Sequence, residues 1–139
     1  MNYKLSVHAD RVSEKDCFIL LKEGRVIAEK VSRFFGDSIK ENVLQTLYQG
    51  FLACRGVLTH DDILVIEIQN RHVHSWLSGL VDYDEYGAYL DKVFDVLETL
   101  DCRYKFFFTD KPFAKQYAKK RNFTREKMSS VADLMSEFE

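Results

Sequence analysis

Three carboxylates stand where apolar runs end or are interrupted: Asp10 after Tyr3 to His8, Glu67 inside Ile63 to Ile68, and Asp110 after Tyr104 to Phe108. Carboxylates gathered at strand ends hold divalent cations, and such cations turn water into a nucleophile. Asp10 follows His8 by two residues and Glu67 precedes Gln69 by two, so in a strand each pair shares one face. Asp10, Glu67 and Asp110 are candidates for such chemistry, with Mg²⁺ or Mn²⁺ as the cofactor, only where the fold brings all three together. Each also has a plainer role. Asp10 is then a strand-end residue, Asp110 the cap of a following helix, and Glu67 a hydrogen-bonded polar residue in a central strand. A carboxylate between Ile66 and Ile68 needs a partner, and Lys115 is the candidate.

Other chemistry is thinner. His72 and His74 form an H-x-H pair, but at the start of a helix such residues diverge, so no zinc site is expected. Cys17, Cys54 and Cys102 lack metal-ligand spacing and are expected as small apolar core residues. Their odd number argues against a disulfide framework and for a reducing, cytoplasmic setting. Gly-rich phosphate loops, Gly-x-Ser-x-Gly and His-Glu-x-x-His are missing from the sequence.

These residues must be carried by a scaffold of 139 residues, 46% apolar and 30% charged, which is globular composition for a single domain over 1–139. No apolar run approaches the roughly 20 residues that span a bilayer, and MNYKLSVHADR holds no signal-peptide core. A membrane partner is not expected. The net charge is −2, yet residues 101–127 hold nine Lys and Arg against Asp101, Asp110 and Glu126. Within that stretch Lys115, Lys119, Lys120 and Arg121 are candidate contacts for an anionic partner, or else a solvated helix face.

Alternation predicts a strand over Tyr3 to His8, and short apolar runs predict strands at Cys17 to Leu21 and Val26 to Ala28, joined by a hairpin at Glu23-Gly24. Helical spacing predicts a helix over Ser38 to Cys54, with Ser38 as cap and Glu41 as its capping-box partner. Ile63 to Ile68 predicts a central strand covered on both faces. Short and long helices follow at His72 to Gly79 and Tyr83 to Leu100. Tyr104 to Phe108 is the last strand, with Phe106, Phe107 and Phe108 expected under flanking helices. A helix from Asp110 to about Lys120 carries Pro112 in its first turn, and Val131, Leu134, Met135 and Phe138 suggest a terminal helix.

This order, together with short motifs, resembles the ribonuclease H-like family, in its reverse-transcriptase-like branch. Val7-His8-Ala9-Asp10 resembles the first-strand motif, and Thr46-Leu47-Tyr48-Gln49-Gly50-Phe51 resembles the first-helix motif Ala-Leu-x-x-Gly-Leu. Gln69-Asn70-Arg71-His72-Val73 with Leu77-Ser78-Gly79 resembles Asp-Ser-x-x-Val with Leu-x-Gly. Phe113-Ala114-Lys115-Gln116-Tyr117-Ala118 resembles the last-helix motif x-Ala-Asp-x-Leu-Ala. The resemblance covers about residues 3–120 and leaves 121–139 as a C-terminal extension. It implies an α/β fold: a mixed five-stranded sheet, three antiparallel strands extended by two parallel ones, with helices on both faces.

The family cuts the RNA strand of RNA–DNA hybrids with two divalent metals held by four carboxylates. The resemblance puts His8, Val43, Gln69 and Lys115 at those four positions. Valine offers no ligand, lysine brings a like charge, and neutral glutamine is a poor substitute for a hard anionic oxygen. Glu41 does not replace Val43, because two helical residues rotate a side chain by about 200°. The resemblance thus implies a catalytically degenerate domain, without a cofactor, that binds nucleic acid or a nucleic-acid-processing complex. A protein-binding regulatory or inhibitory module is the alternative, and a metal-dependent nuclease with the relocated Asp10, Glu67 and Asp110 site is the second.

Overall fold

A computed structural model describes residues 2–12, 14–34, 38–79 and 86–119 of the chain. The strands are β1 (Asn2–Asp10), β2 (Lys15–Lys22), β3 (Arg25–Arg33), β4 (Ile63–Ile68) and β5 (Arg103–Phe108). The helices are α1 (Ile39–Cys54), α2 (Arg71–Leu77), α3 (Gly87–Glu98) and α4 (Phe113–Lys119). The strands form one sheet in the order β3-β2-β1-β4-β5. β1 to β3 are antiparallel neighbours, and β4 and β5 extend β1 in parallel. The expected sheet order is the observed one. The terminal helix expected from Val131 to Phe138 lies outside the described residues. No helix among the described residues is long and apolar enough to cross a membrane.

Period-two alternation divides the core into two layers. Tyr3, Leu5, Val7 and Ala9 of β1, Phe18 and Leu20 of β2, and Leu64, Ile66 and Ile68 of β4 meet α1 and α3 on one face. Cys17, Ile19 and Leu21 of β2 and Val31 of β3 meet Ala114 and Ala118 of α4 on the other. Lys4, Ser6 and His8 of β1 point to this second face. Between β2 and β3, Glu23 (φ 49°) and Gly24 (φ 85°) are both left-handed, the two-residue turn that suits a hairpin.

Two expectations about coverage fail here for one reason. α4 starts over β4, but its Tyr117 hydroxyl donates to Glu29 of β3 and its Ala118 carbonyl accepts from Lys15 of β2. It therefore crosses β1 and β2 and leaves β5 open. Val65 is only half-buried, so β4 is fully covered on one face alone. Phe107 is 46% exposed on the open face of this edge strand rather than buried, while Phe106 and Phe108 are half-buried.

The start of α1 keeps half of its expected capping box. Ser38 Oγ accepts from the Glu41 N–H at 3.3 Å. The Glu41 carboxylate does not return to the cap; it accepts from the Tyr89 hydroxyl of α3 at 2.6 Å. Ser38 Oγ also meets the Tyr86 hydroxyl at 2.9 Å, so α1 is tied to α3 where it begins.

Further along, α1 lies close to β1 at Gly50. A Cβ there would stand 2.9 and 3.0 Å from the two methyl carbons of Leu5, which is fully buried. Gly50→Val is expected to destabilise the chain by about 2–3 kcal/mol, since two added methyls must push β1 away from the helix. The midpoint of urea unfolding measures it, and an unchanged midpoint would show that α1 and β1 have room to separate.

Candidate functional site

β1 and β4 are parallel neighbours, so their C-terminal ends lie at one edge of the sheet. From β1 the chain turns back into the β2–β3 hairpin, and from β4 it goes on toward β5. In open α/β sheets such a divergence leaves a crevice at the strand ends. Here the crevice is a cleft of about 620 Å³. Its lining includes His8 and Asp10 of β1, Val43 of α1, Gln69 and Arg71 after β4, Asp110 after β5, and Lys115 of α4.

His8 is 8% exposed. Burial pushes its imidazole below the ordinary histidine range, against the attraction of Asp10. Lys115 and Lys119 lower it further, and a hydrogen bond to the Gln69 side chain acts the other way. His8 is therefore neutral at neutral pH. Asp10 Oδ1 accepts from the Val12 N–H at 3.0 Å, holding the turn after β1. Asn70 caps α2 by accepting from the Val73 N–H at 3.0 Å, so α2 starts one residue earlier than expected. The Arg71 guanidinium then lies over the Phe108 ring at 4.5 Å, and Arg11 lies over Phe34 at 5.8 Å.

The candidate carboxylates separate. Asp10 and Asp110 line the cleft, but Glu67 does not. Glu67 Oε1 accepts from the Phe113 N–H at 3.0 Å, and its Oε2 pairs with Lys4 at 3.3 Å. Its partner is thus Lys4 and the backbone of α4, not Lys115. The parallel register sets Ser6 beside Glu67, and Ser6 Oγ accepts from the Ala114 N–H at 2.9 Å. These two side chains satisfy first-turn donors of α4 that a helix leaves open, the role expected of Asp110.

Glu67→Ala is expected to cost about 2–3 kcal/mol, because it strands a helix donor and a charge at once. Glu67→Gln keeps an acceptor for the Phe113 N–H and is expected to cost less than about 1 kcal/mol, since the Lys4 pair is partly exposed. Equal losses in urea unfolding would show that the ion pair, not the cap, holds α4.

His72 and His74 diverge as expected: His72 lines the cleft and stacks on Trp76, while His74 packs edge-on to Phe108. Cys17 and Cys54 are buried, and burial pushes both thiols up to about 12, so neither is a nucleophile near neutral pH. Among the described residues no group of three or more His, Cys, Asp or Glu is placed to hold a metal ion. The lining does not suit a pair of Mg²⁺ ions: its carboxylates are Asp10, with one oxygen already engaged, and Asp110, with Lys115 facing the same space.

Lys119 is exposed, and its charge reaches His8. Lys120 and Arg121 lie outside the described residues. Arg11 and Arg71 are not among the contacts expected from the sequence, although Arg11 directly follows the first-strand motif and Arg71 lies inside the motif after β4. That position is the signal that would have found them.

No family model matches the chain, and no curated protein sequence matches it. Solved structures do. Ribonuclease H1 from the halophilic archaeon Halobacterium salinarum NRC-1 is similar with a TM-score of 0.58 at 12% identity, over 77% of this chain and 84% of that one. The N-terminal ribonuclease H domain of a Mycobacterium tuberculosis protein, solved as a fusion with maltose-binding protein, gives 0.64 at 10% identity, over 96% and 98%. LC11 ribonuclease H1, solved with an RNA/DNA hybrid, gives 0.61 at 7% identity, over 83% and 91%. The chain has the ribonuclease H-like fold.

Proposed function

We propose that this ribonuclease H-like domain binds nucleic acid, alone or within a nucleic-acid-processing complex, and does not cut it. The observation that carries the reading is the lining of the cleft. The four positions assigned from the family motifs, His8, Val43, Gln69 and Lys115, all open onto it and present an imidazole, an apolar side chain, an amide and an ammonium. A phosphate backbone approaching such a wall meets the Lys115 ammonium, with Arg11 and Arg71 on the same lining. The similarity to a fold-mate solved with an RNA/DNA hybrid supports the same partner class. No cofactor is part of this reading, and Mg²⁺ or Mn²⁺ enters only if Asp10 and Asp110 hold it.

Fluorescence anisotropy with a labelled RNA–DNA hybrid and a labelled single strand tests it. Binding is expected to weaken with salt, with a log–log slope of roughly −0.7 per contacted phosphate on a single strand and −0.9 on a duplex. The triple variant Lys119→Ala, Lys120→Ala, Arg121→Ala is expected to flatten that slope.

A second reading is favoured by Tyr104, Phe107 and Phe113, three large side chains exposed on or beside edge strand β5. They suit a protein partner. A chain that binds neither nucleic acid at about 50 mM salt, where phosphate contacts are strong, would put the protein-binding module first.

A further inference from the structure

Resting on that reading, we infer that the cleft seats a phosphate group directly on the Lys115 ammonium, with no metal ion between them, and that His8 takes up a proton as the anion enters.

Lys115 and His8 line the same cleft, one from α4 and one from β1, and the lysine charge is felt at the imidazole. Among the described residues Lys115 makes no ion pair. It is half-buried, so its charge is partly desolvated without a counter-ion. An anion in the cleft supplies one. Arg71 adds a second point of contact at the same wall. Its guanidinium lies over Phe108 and spends a face on that ring, which leaves the N–H edge for bidentate contact with two oxygens of one phosphate.

The groups facing His8 decide its response. Asp10 on its own strand attracts its proton, and Lys115 and Lys119 on α4 repel it. Cys17, its neighbour on β2, stays a neutral thiol. Gln69 at the end of β4 is a neutral hydrogen-bond partner. Asp110 after β5 and Arg11, Arg71 and His72 complete the charged and titratable lining. A phosphate on Lys115 offsets the repulsion from α4 and adds its own attraction, and both changes favour the imidazolium. Binding is then coupled to proton uptake, and affinity rises as pH falls through the His8 titration of the bound chain. Asp10 and Asp110 oppose a small anion. Free phosphate is therefore expected to bind in about the millimolar range, and an extended strand more tightly through further contacts.

The test combines two measurements on the full chain. In the first, the His8 imidazole is titrated by NMR with and without inorganic phosphate, and again with a single strand. Its midpoint is expected to rise by about one pH unit with either ligand, and Lys115→Gln is expected to abolish the rise. In the second, anisotropy with a labelled strand is measured in excess EDTA. Affinity is expected to be unchanged by EDTA and to fall about tenfold in Lys115→Gln, the loss of one well-placed charged contact. The NMR arm on the parent chain does not depend on any variant folding.

Binding that disappears in EDTA overturns the inference. A strand that binds in EDTA while His8 stays unmoved and Lys115→Gln keeps the parental affinity also overturns it, and leaves the nucleic-acid reading standing. If phosphate moves the His8 midpoint but no strand binds, the seat stands for a free phosphate and the nucleic-acid reading falls.

Discussion

A labelled RNA–DNA hybrid incubated with the purified chain and Mg²⁺ or Mn²⁺ is expected to stay intact. Two-metal hydrolysis needs anionic oxygens that clamp both ions and hold the attacking water in line. In the cleft, Asp10 has one oxygen engaged by the Val12 N–H, and Asp110 stands on the far side of the β4 end. Gln69, at the end of β4, stands between them in strand order, and Lys115 opens onto the same cleft, where its ammonium repels any cation that enters. Glu67, the third member of the relocated set, is committed to Lys4 and the start of α4. Gel analysis of the labelled RNA strand decides the matter. Metal-dependent cuts that vanish in Asp10→Asn or Asp110→Asn would establish a relocated site. Cuts that survive both variants would point to a contaminating nuclease.

The parts of this picture legible in the sequence are those set by local period. Alternation in β1, the apolar run of β4 and the helical spacing of α1 each follow from which residues must face a core. Strand order followed because the hairpin at Glu23-Gly24 fixes β2 against β3, and helical crossovers fix β4 and β5 as parallel additions. The motifs also pointed to one edge of the sheet, where His8, Val43, Gln69 and Lys115 open onto the same cleft.

What stayed hidden depends on how distant elements meet. The family motifs set Lys115 at the same site as Gln69 and so make it the expected partner of Glu67. The parallel register instead sets Glu67 beside Ser6 and under the first residues of α4, and Lys4 is its charge partner. Phe107 looked like a core residue until the path of α4 across β1 and β2 left β5 bare. Arg71 gained significance only once Phe108 was beneath it. None of these contacts is written in a window of neighbouring residues.

Asp16 carries the last expected result: Asp16→Asn should stabilise the chain above neutral pH by several kcal/mol. Asp16 lies on β2 opposite Ala9 and Ser32, is 4% exposed, and its Oδ1 meets no hydrogen-bond partner among the described residues. Burial disfavours the carboxylate and pushes its pKa from 3.8 up to about 7. The folded chain therefore keeps a proton that the unfolded chain releases over this range. Stability is greatest below the unfolded value of 3.8, as far as this group is concerned, and falls as pH rises toward about 7. Beyond that the loss from this group is complete, at about 4 kcal/mol for a shift of this size. Asparagine is a neutral isostere and escapes the loss. The parent chain should thus melt on the order of 10 °C lower than Asp16→Asn at about pH 8, and the two should converge near about pH 4. Melting curves across that range give the comparison directly. If Asp16→Asn is instead the less stable chain at every pH, Asp16 is ionised in the folded protein and held by a cation, and the sheet beside the cleft carries a buried ion pair.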